Sequence, residues 1–149
     1  MLNPWFVTGF CAGEGAFTYS RQGENFNLYF AVKLNQDEEE IIIQLQDFFG
    51  VGTIYKIKAS PPKRYSGFTQ PALYYRVSKI PELERIVEHF DEFPLIGKKL
   101  KSYNIWRAMF EEKKKFRKPD NIKLEAFAMS LSNLSNKNAK LRLSKQIDG

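Results

Sequence analysis

Residues 5–17, WFVTGFCAGEGAF, constrain the fold more than any other part of the chain: an apolar helical run meets a carboxylate set between two glycines and passes at once into a strand. Asn3 is placed to cap that helix and Pro4 to open it, because a capping amide satisfies a free backbone N–H and proline's fixed φ suits the first turn. The carboxylate is Glu14. A helix C-terminus carries partial negative charge, so an acid there is disfavoured unless something compensates it, and a bound cation is the usual compensation. Thr8, Gly9, Ala12 and Gly13 set small residues one turn apart, which would let a second backbone approach closely. The stretch reads as a joint between two metal-binding halves.

Beyond this helix the apolar pattern predicts an α+β chain of order αββαββα with further C-terminal helices, its antiparallel sheet covered by helices on one face. Residues 16–22 and 27–34 alternate, with Phe17, Tyr19, Leu28, Phe30 and Val32 on one side, and Gly23-Glu24 makes them a hairpin. Asp37 is expected to cap a helix to about Phe49 with Ile41, Leu45 and Phe48 inward, ended by Gly50-Val51-Gly52. Residues 53–58 and 73–78 form the second strand pair, joined by a long loop rich in proline. Pro81 opens a helix with Leu83, Ile86, Val87 and Phe90 inward. A long helix over 95–115 follows, with Ile105, Trp106, Met109 and Phe110 at core spacing, then a last one using Leu124, Phe127, Leu131 and Leu134. Trp5 and Trp106 are expected in the core. The whole, 1–149, reads as one domain, its core over about 4–115 and a C-terminal helix and tail over 120–149.

Net charge is +6 with a pI near 9.4, and its distribution is uneven. Between Val51 and Lys79 there are six basic residues and no acid. The acidic run Asp37-Glu38-Glu39-Glu40 opens a helix, where acids favour the dipole without needing a function. Basic residues interleaved with tyrosine suggest a polyanionic partner, nucleic acid first. The single cysteine, Cys11, sits in the apolar helix and reads as a buried structural thiol, compatible with a reducing compartment. No stretch approaches a membrane span and the N-terminus lacks a signal-peptide pattern, so a soluble intracellular protein with no membrane partner is expected.

Val7-Thr8-Gly9-Phe10-Cys11-Ala12-Gly13-Glu14-Gly15 resembles the LAGLIDADG motif of homing endonucleases, with the glycines at 9 and 15 and the acid at 14 in place. Phe93-Pro94-Leu95-Ile96-Gly97-Lys98-Lys99 is also similar to the family, and the element order agrees along roughly the first 110 residues. Two positions depart: the motif's first acid is Ala12, and where members often carry a water-positioning glutamine stands Leu34, with Asn35 and Gln36 beside it.

The resemblance implies a saddle-shaped sheet and, since the motif occurs once, a homodimer packed through Thr8, Gly9, Ala12 and Gly13. Two Glu14 side chains would then meet, and carboxylates about 4 Å apart repel by roughly 4 kcal/mol at an effective dielectric of 20. A divalent cation relieves that repulsion. Oxygen ligands point to Mg²⁺, with Mn²⁺ among the ions able to substitute, and the Gly13 carbonyl as a further ligand; the one His and one Cys lie too far apart in sequence to suggest zinc. The implied reaction is hydrolysis of both strands of double-stranded DNA by metal-activated water, leaving short 3′ overhangs, with one Glu14 per strand. Lys99, with Lys98 as its neighbouring candidate, would stabilise developing charge on the phosphate.

Bases would be read in the major groove by Thr18, Ser20, Gln22, Asn25, Asn27, Tyr29, Lys33, Tyr55, Tyr74 and Arg76, while Lys63 and Arg64 hold phosphates. Strands of about nine residues cover about nine base pairs, giving a pseudo-palindromic target of roughly twenty. The face that Lys56 and Lys58 share with Ile54 stays unassigned between DNA and helices, and His89 reads as structural. Such proteins serve group I intron homing in a mitochondrion, a chloroplast or a prokaryotic cytoplasm. Two other readings stand beside this one: an RNA maturase or non-cleaving DNA-binding protein of the same fold, with intron RNA a candidate partner, and a generic basic interaction domain.

Overall fold

The computed structural model describes residues 1–59, 70–115 and 118–148, with side chains through residue 134. Its elements are α1 (Pro4–Glu14), β1 (Gly15–Gln22), β2 (Asn25–Asn35), α2 (Glu39–Phe49), β3 (Thr53–Ile57), β4 (Ala72–Val77), α3 (Ile80–Glu92), α4 (Gly97–Lys114) and α5 (Asn121–Asp148), with a 3₁₀ turn at Gln36–Glu38. This is the expected αββαββα order with additional C-terminal helices. The strands form one antiparallel sheet in the order β1-β2-β4-β3, which puts β2 and β4 in its interior.

Asn3 caps α1 as anticipated, its Oδ1 accepting from the Trp5 N–H at 2.8 Å. Register then decides which side of the sheet each residue takes. Phe17 pairs with Phe30, Phe30 with Val77, Val32 with Tyr75 and Leu34 with Leu73, and these residues face the helices. Phe17 is the hub, with ring centroids of Phe30, Phe90, Tyr103 and Trp106 all 5.1–5.3 Å from its own. Trp106 is fully buried and still donates its indole N–H to the Thr18 carbonyl at 3.0 Å, tying α4 to β1.

Several inward positions differ from the sequence pattern. In α2 the buried stripe is Ile42, Leu45 and Phe49, not Ile41, Leu45 and Phe48. Adjacent apolar residues at 41–43 and 48–49 leave the helical phase open by one residue, and packing on β2 and β4 selects it. Asp37 does not cap this helix: it lies in the 3₁₀ turn, and Glu38 occupies the cap position without a side-chain bond. Tyr103 is buried in α4 while Ile105 is half-buried, and in α5 Ala128 is buried while Phe127 is half-buried. Trp5 is 57% exposed, standing outside α1 with its ring 5.1 Å from Phe93, so it is not a core residue. Among the described residues no helix is long and apolar enough to cross a membrane.

Candidate active site and nucleic-acid face

Glu14 ends α1 and Gly15 begins β1, so no loop separates the acid from the sheet. Only glycine permits this junction. A Cβ on residue 15 would lie 2.8 Å from the Cys11 carbonyl oxygen and 3.2 Å from the Phe30 ring. The Gly15 N–H donates to that same carbonyl, and the Gly15 oxygen accepts from Lys99 Nζ at 2.5 Å. Lys99 reaches there because α4 begins at Gly97, which puts it in the first turn, over the end of α1. Lys98, a residue earlier on the helix, is exposed. Burial pushes the Cys11 thiol up to about 12, with Lys99 opposing weakly, so Cys11 stays a neutral packing residue.

Phe10, Glu14, Lys33, Leu34, Asn35, Glu38 and Ala72 line a cleft of about 510 Å³. It joins the end of α1 to the end of β2 and the 3₁₀ turn, and so brings the acid next to the sheet's Lys33. Asn35 and Glu38 are cleft residues that sequence reading did not assign. Nothing local marks Glu38, since an acid entering a helix is explained by the dipole alone. Among the described residues no three His, Cys, Asp or Glu side chains gather within one copy to hold a metal.

The small residues of α1 divide between two faces. Gly9 and Gly13 are exposed, and a Cβ on either would meet nothing within 4 Å, so with the exposed Trp5 and Phe6 they leave one side of the helix open. Ala12 is half-buried against its own core. Thr8 was expected on the open face and is not there: it is 5% exposed and turned into its own fold. Its hydroxyl donates to the Phe93 carbonyl at 2.8 Å, and its oxygen lies 3.0 Å from His89 Nε2. Since the hydroxyl proton is committed to Phe93, Nε2 of His89 must carry the hydrogen. Burial, helped by Arg85, lowers the His89 pKa to about 4, so the ring is a neutral clamp between α1 and α3.

Opposite the helices, register assembles the second part of the site. Thr18 pairs with Tyr29, Ser20 with Asn27, Gln22 with Asn25, Lys33 with Tyr74 and Tyr55 with Tyr74, and the Arg76 guanidinium lies 3.9 Å over the Tyr29 ring. All ten strand and turn residues expected to read bases and described here thus share one face. Thr53, Ala31 and Ala16 join them, small residues that no polar pattern singles out. Lys56 pairs with Leu73 on the helix side, which settles the face left open in the edge strand. Lys63 and Arg64 lie outside the described residues.

The family model described as LAGLIDADG endonuclease matches residues 7–110. An uncharacterized 50.9 kDa protein in ND4 intron 1 of Podospora anserina is 30% identical over 115 residues, 71% of this chain and 23% of its own length. Probable intron-encoded endonuclease 2 of Neurospora crassa is 31% identical over 107 residues, 66% of this chain and 22% of its own. The chain thus spans about a quarter of the length of these curated relatives. Among solved structures, the LAGLIDADG meganuclease I-CpaMI bound to uncleaved DNA superposes with a TM-score of 0.65 at 26% identity, covering 76% of this chain and 37% of that one. The homing endonuclease I-TnaI, at 21% identity, shares the fold with a TM-score of 0.72 over 93% of this chain and 97% of that one.

Proposed function

The chain belongs to the LAGLIDADG endonuclease family, and from that premise we propose that it is a site-specific DNA endonuclease acting as a homodimer at a pseudo-palindromic target. The observation that carries the reading is the position of Glu14, exposed at the end of α1 where helix, sheet face and Lys99 converge. The donor set fits a hard divalent cation such as Mg²⁺. Glu14 offers carboxylate oxygen, and Gly13 lies in the last turn of α1, whose carbonyls have no intrahelical partner. Among the described residues one copy has too few such groups, and the open Gly9–Gly13 face is where a second copy would bring the second Glu14.

When bound, the cation would supply charge neutralisation and water activation for hydrolysis of the phosphodiester. The chain's own residues do the rest. Gly15 fixes the acid by forcing the helix to end there, and Lys99, anchored on the Gly15 carbonyl, holds a positive charge beside the reacting phosphate to oppose the charge that develops on it. Asn35 offers an amide in the same cleft to orient water. The sheet face lies in the major groove, and the smallest polar residues, Thr18 and Ser20, leave room for base edges.

The test is a linearised plasmid carrying a site selected with the protein, incubated with Mg²⁺ or Ca²⁺ and with wild type or Glu14→Gln. Cutting of both strands by wild type in Mg²⁺ alone, with binding but no cutting by Glu14→Gln, is expected. Binding without cutting by the wild type in Mg²⁺ would leave a non-cleaving binding protein and refute the endonuclease.

A further inference from the structure

The rows that cross the sheet are unequal. One row reads Ala16, Ala31, Arg76, Thr53 from β1 to β3, and Arg76 is its only long side chain. Its strand, β4, is one of the two interior strands, so a groove seated on this face meets Arg76 with its floor, where base edges lie, while the phosphate rims fall over the sheet's margins. Arg76 is also held in advance. Its guanidinium stacks on Tyr29, two residues along β2 from its cross-strand partner Ala31. On the other side it approaches the Tyr74 phenol, two residues along β4, whose pKa is raised by burial first and then by Tyr29, with Arg76 opposing. Stacking consumes none of the five guanidinium N–H donors and a phenol takes few, so the fork remains available while much of the side chain's freedom is already lost.

We infer that Arg76 is a specificity-determining residue that reads the O6 and N7 edge of one guanine, so that each copy of the chain fixes one G·C pair in the target through a side chain pre-positioned by Tyr29. Ala16 and Ala31 present no side-chain donor in that row and Thr53 only a short hydroxyl on the edge strand, so its other base pairs would be loosely specified. The inference rests on the proposed DNA-binding reading and goes beyond it by naming a base and the side chain that selects it.

Random-sequence duplexes bound by the wild-type protein are selected and sequenced, and single G·C pairs in the recovered duplexes are then changed to A·T. One G·C pair per half-site, mirrored about the centre, should be invariant, and changing it should weaken wild-type binding by about 10- to 100-fold. Arg76→Ala should bind the original and the changed duplex alike. Arg76→Lys, which keeps the charge and can still donate to guanine but lacks the fork stacked on Tyr29, should recover overall binding and only part of the guanine preference. Matching thermal melts for the variants show that the fold survives. An equal loss by Arg76→Ala on every duplex, with the salt slope falling by about one, would make Arg76 a phosphate contact and overturn the inference while leaving DNA binding in place. Absence of an invariant G·C pair overturns it likewise, whereas a library with no enriched duplex overturns the DNA reading and this inference with it.

Discussion

Lowering the pH from 7 to 4 should destabilise this protein chiefly through His89, which joins the motif helix to α3. The side chain is 2% exposed, ringed by Phe48, Phe49, Phe90 and Phe93 at centroid distances of 4.7–5.5 Å, and clamped to Thr8. Its pKa is lowered from 6.5 to about 4 by burial and then by Arg85. The sign follows from proton counts. Above pH 6.5 neither state binds a proton at this ring; between 6.5 and 4 the unfolded chain binds one and the folded chain does not, so stability falls with pH in that window; below about 4 both are protonated and the loss stops. At 1.36 kcal/mol per pKa unit, the full descent costs about 3 kcal/mol. That is a large part of a domain stability of roughly 5–15 kcal/mol.

Urea unfolding followed by far-UV circular dichroism, at one fixed protein concentration and at pH 7, 6, 5 and 4.5, measures the loss. His89→Gln supplies the reference, because its amide can still donate to Thr8 and does not titrate. Subtracting the two profiles removes carboxylates common to both. Asp91, held low chiefly by hydrogen bonds from Arg107, and Glu112, held low chiefly by Lys115, lose their stabilisation only at or below the ordinary carboxylate range. The wild type should lose stability relative to His89→Gln progressively below pH 6.5. A flat difference between pH 7 and 4.5 would mean that His89 is not held neutral in the folded state, and the clamp between α1 and α3 would have to be abandoned.

Alanine at Gly9 and Gly13 together should leave the stability of the single chain unchanged or raise it by about 1 kcal/mol per site, because each Cβ enters open space and alanine favours the helix; light scattering should nonetheless report a smaller fraction of the proposed dimer, and a lower urea midpoint at concentrations where wild type and variant are both monomeric would contradict the open face. Gly15→Ala should destabilise by about 1–3 kcal/mol, since its Cβ would lie 2.8 Å from a backbone oxygen that cannot yield without distorting α1; an unchanged melting temperature would show that the junction is looser than its geometry. Lys99→Met should lower the cleavage rate roughly 10²- to 10³-fold at saturating DNA while leaving DNA affinity within a few-fold; equal losses in both would make it a binding residue.

The elements were legible because their signals are local. Asn3, Pro4 and Gly15 bracket α1, alternation from Phe17 to Val32 fixes the hairpin and its two faces, and the residues proposed to read bases follow from that parity. The contacts that organise the site join residues far apart in sequence and leave no local trace. Thr8 looked like one of a row of small residues, yet a histidine and a carbonyl more than eighty positions away turn it inward. Trp5 looked like core because it is large and apolar, but it lies on the side of α1 that its own sheet does not cover. Glu38 looked like a helix-dipole acid and lines the cleft with Glu14 only because the 3₁₀ turn brings the chain back over the end of β2.

The departure at Leu34 has a geometric reading of the same kind. Position 34 pairs with Leu73 and shares the side of β2 that carries Leu28, Phe30 and Val32, yet it is half-buried and lines the cleft beside Glu14, where leucine offers no hydrogen-bonding group. Its side chain packs against the edge of the core instead. The next residue, Asn35, lies on the opposite side of the strand and lines the same cleft, so an amide stands there one position after Leu34. Because successive strand residues alternate faces, the Asn35 amide stands on the side of the residues proposed to read bases. Ala12 packs half-buried on the core, so Glu14 is the one carboxylate of α1 available for the proposed metal site.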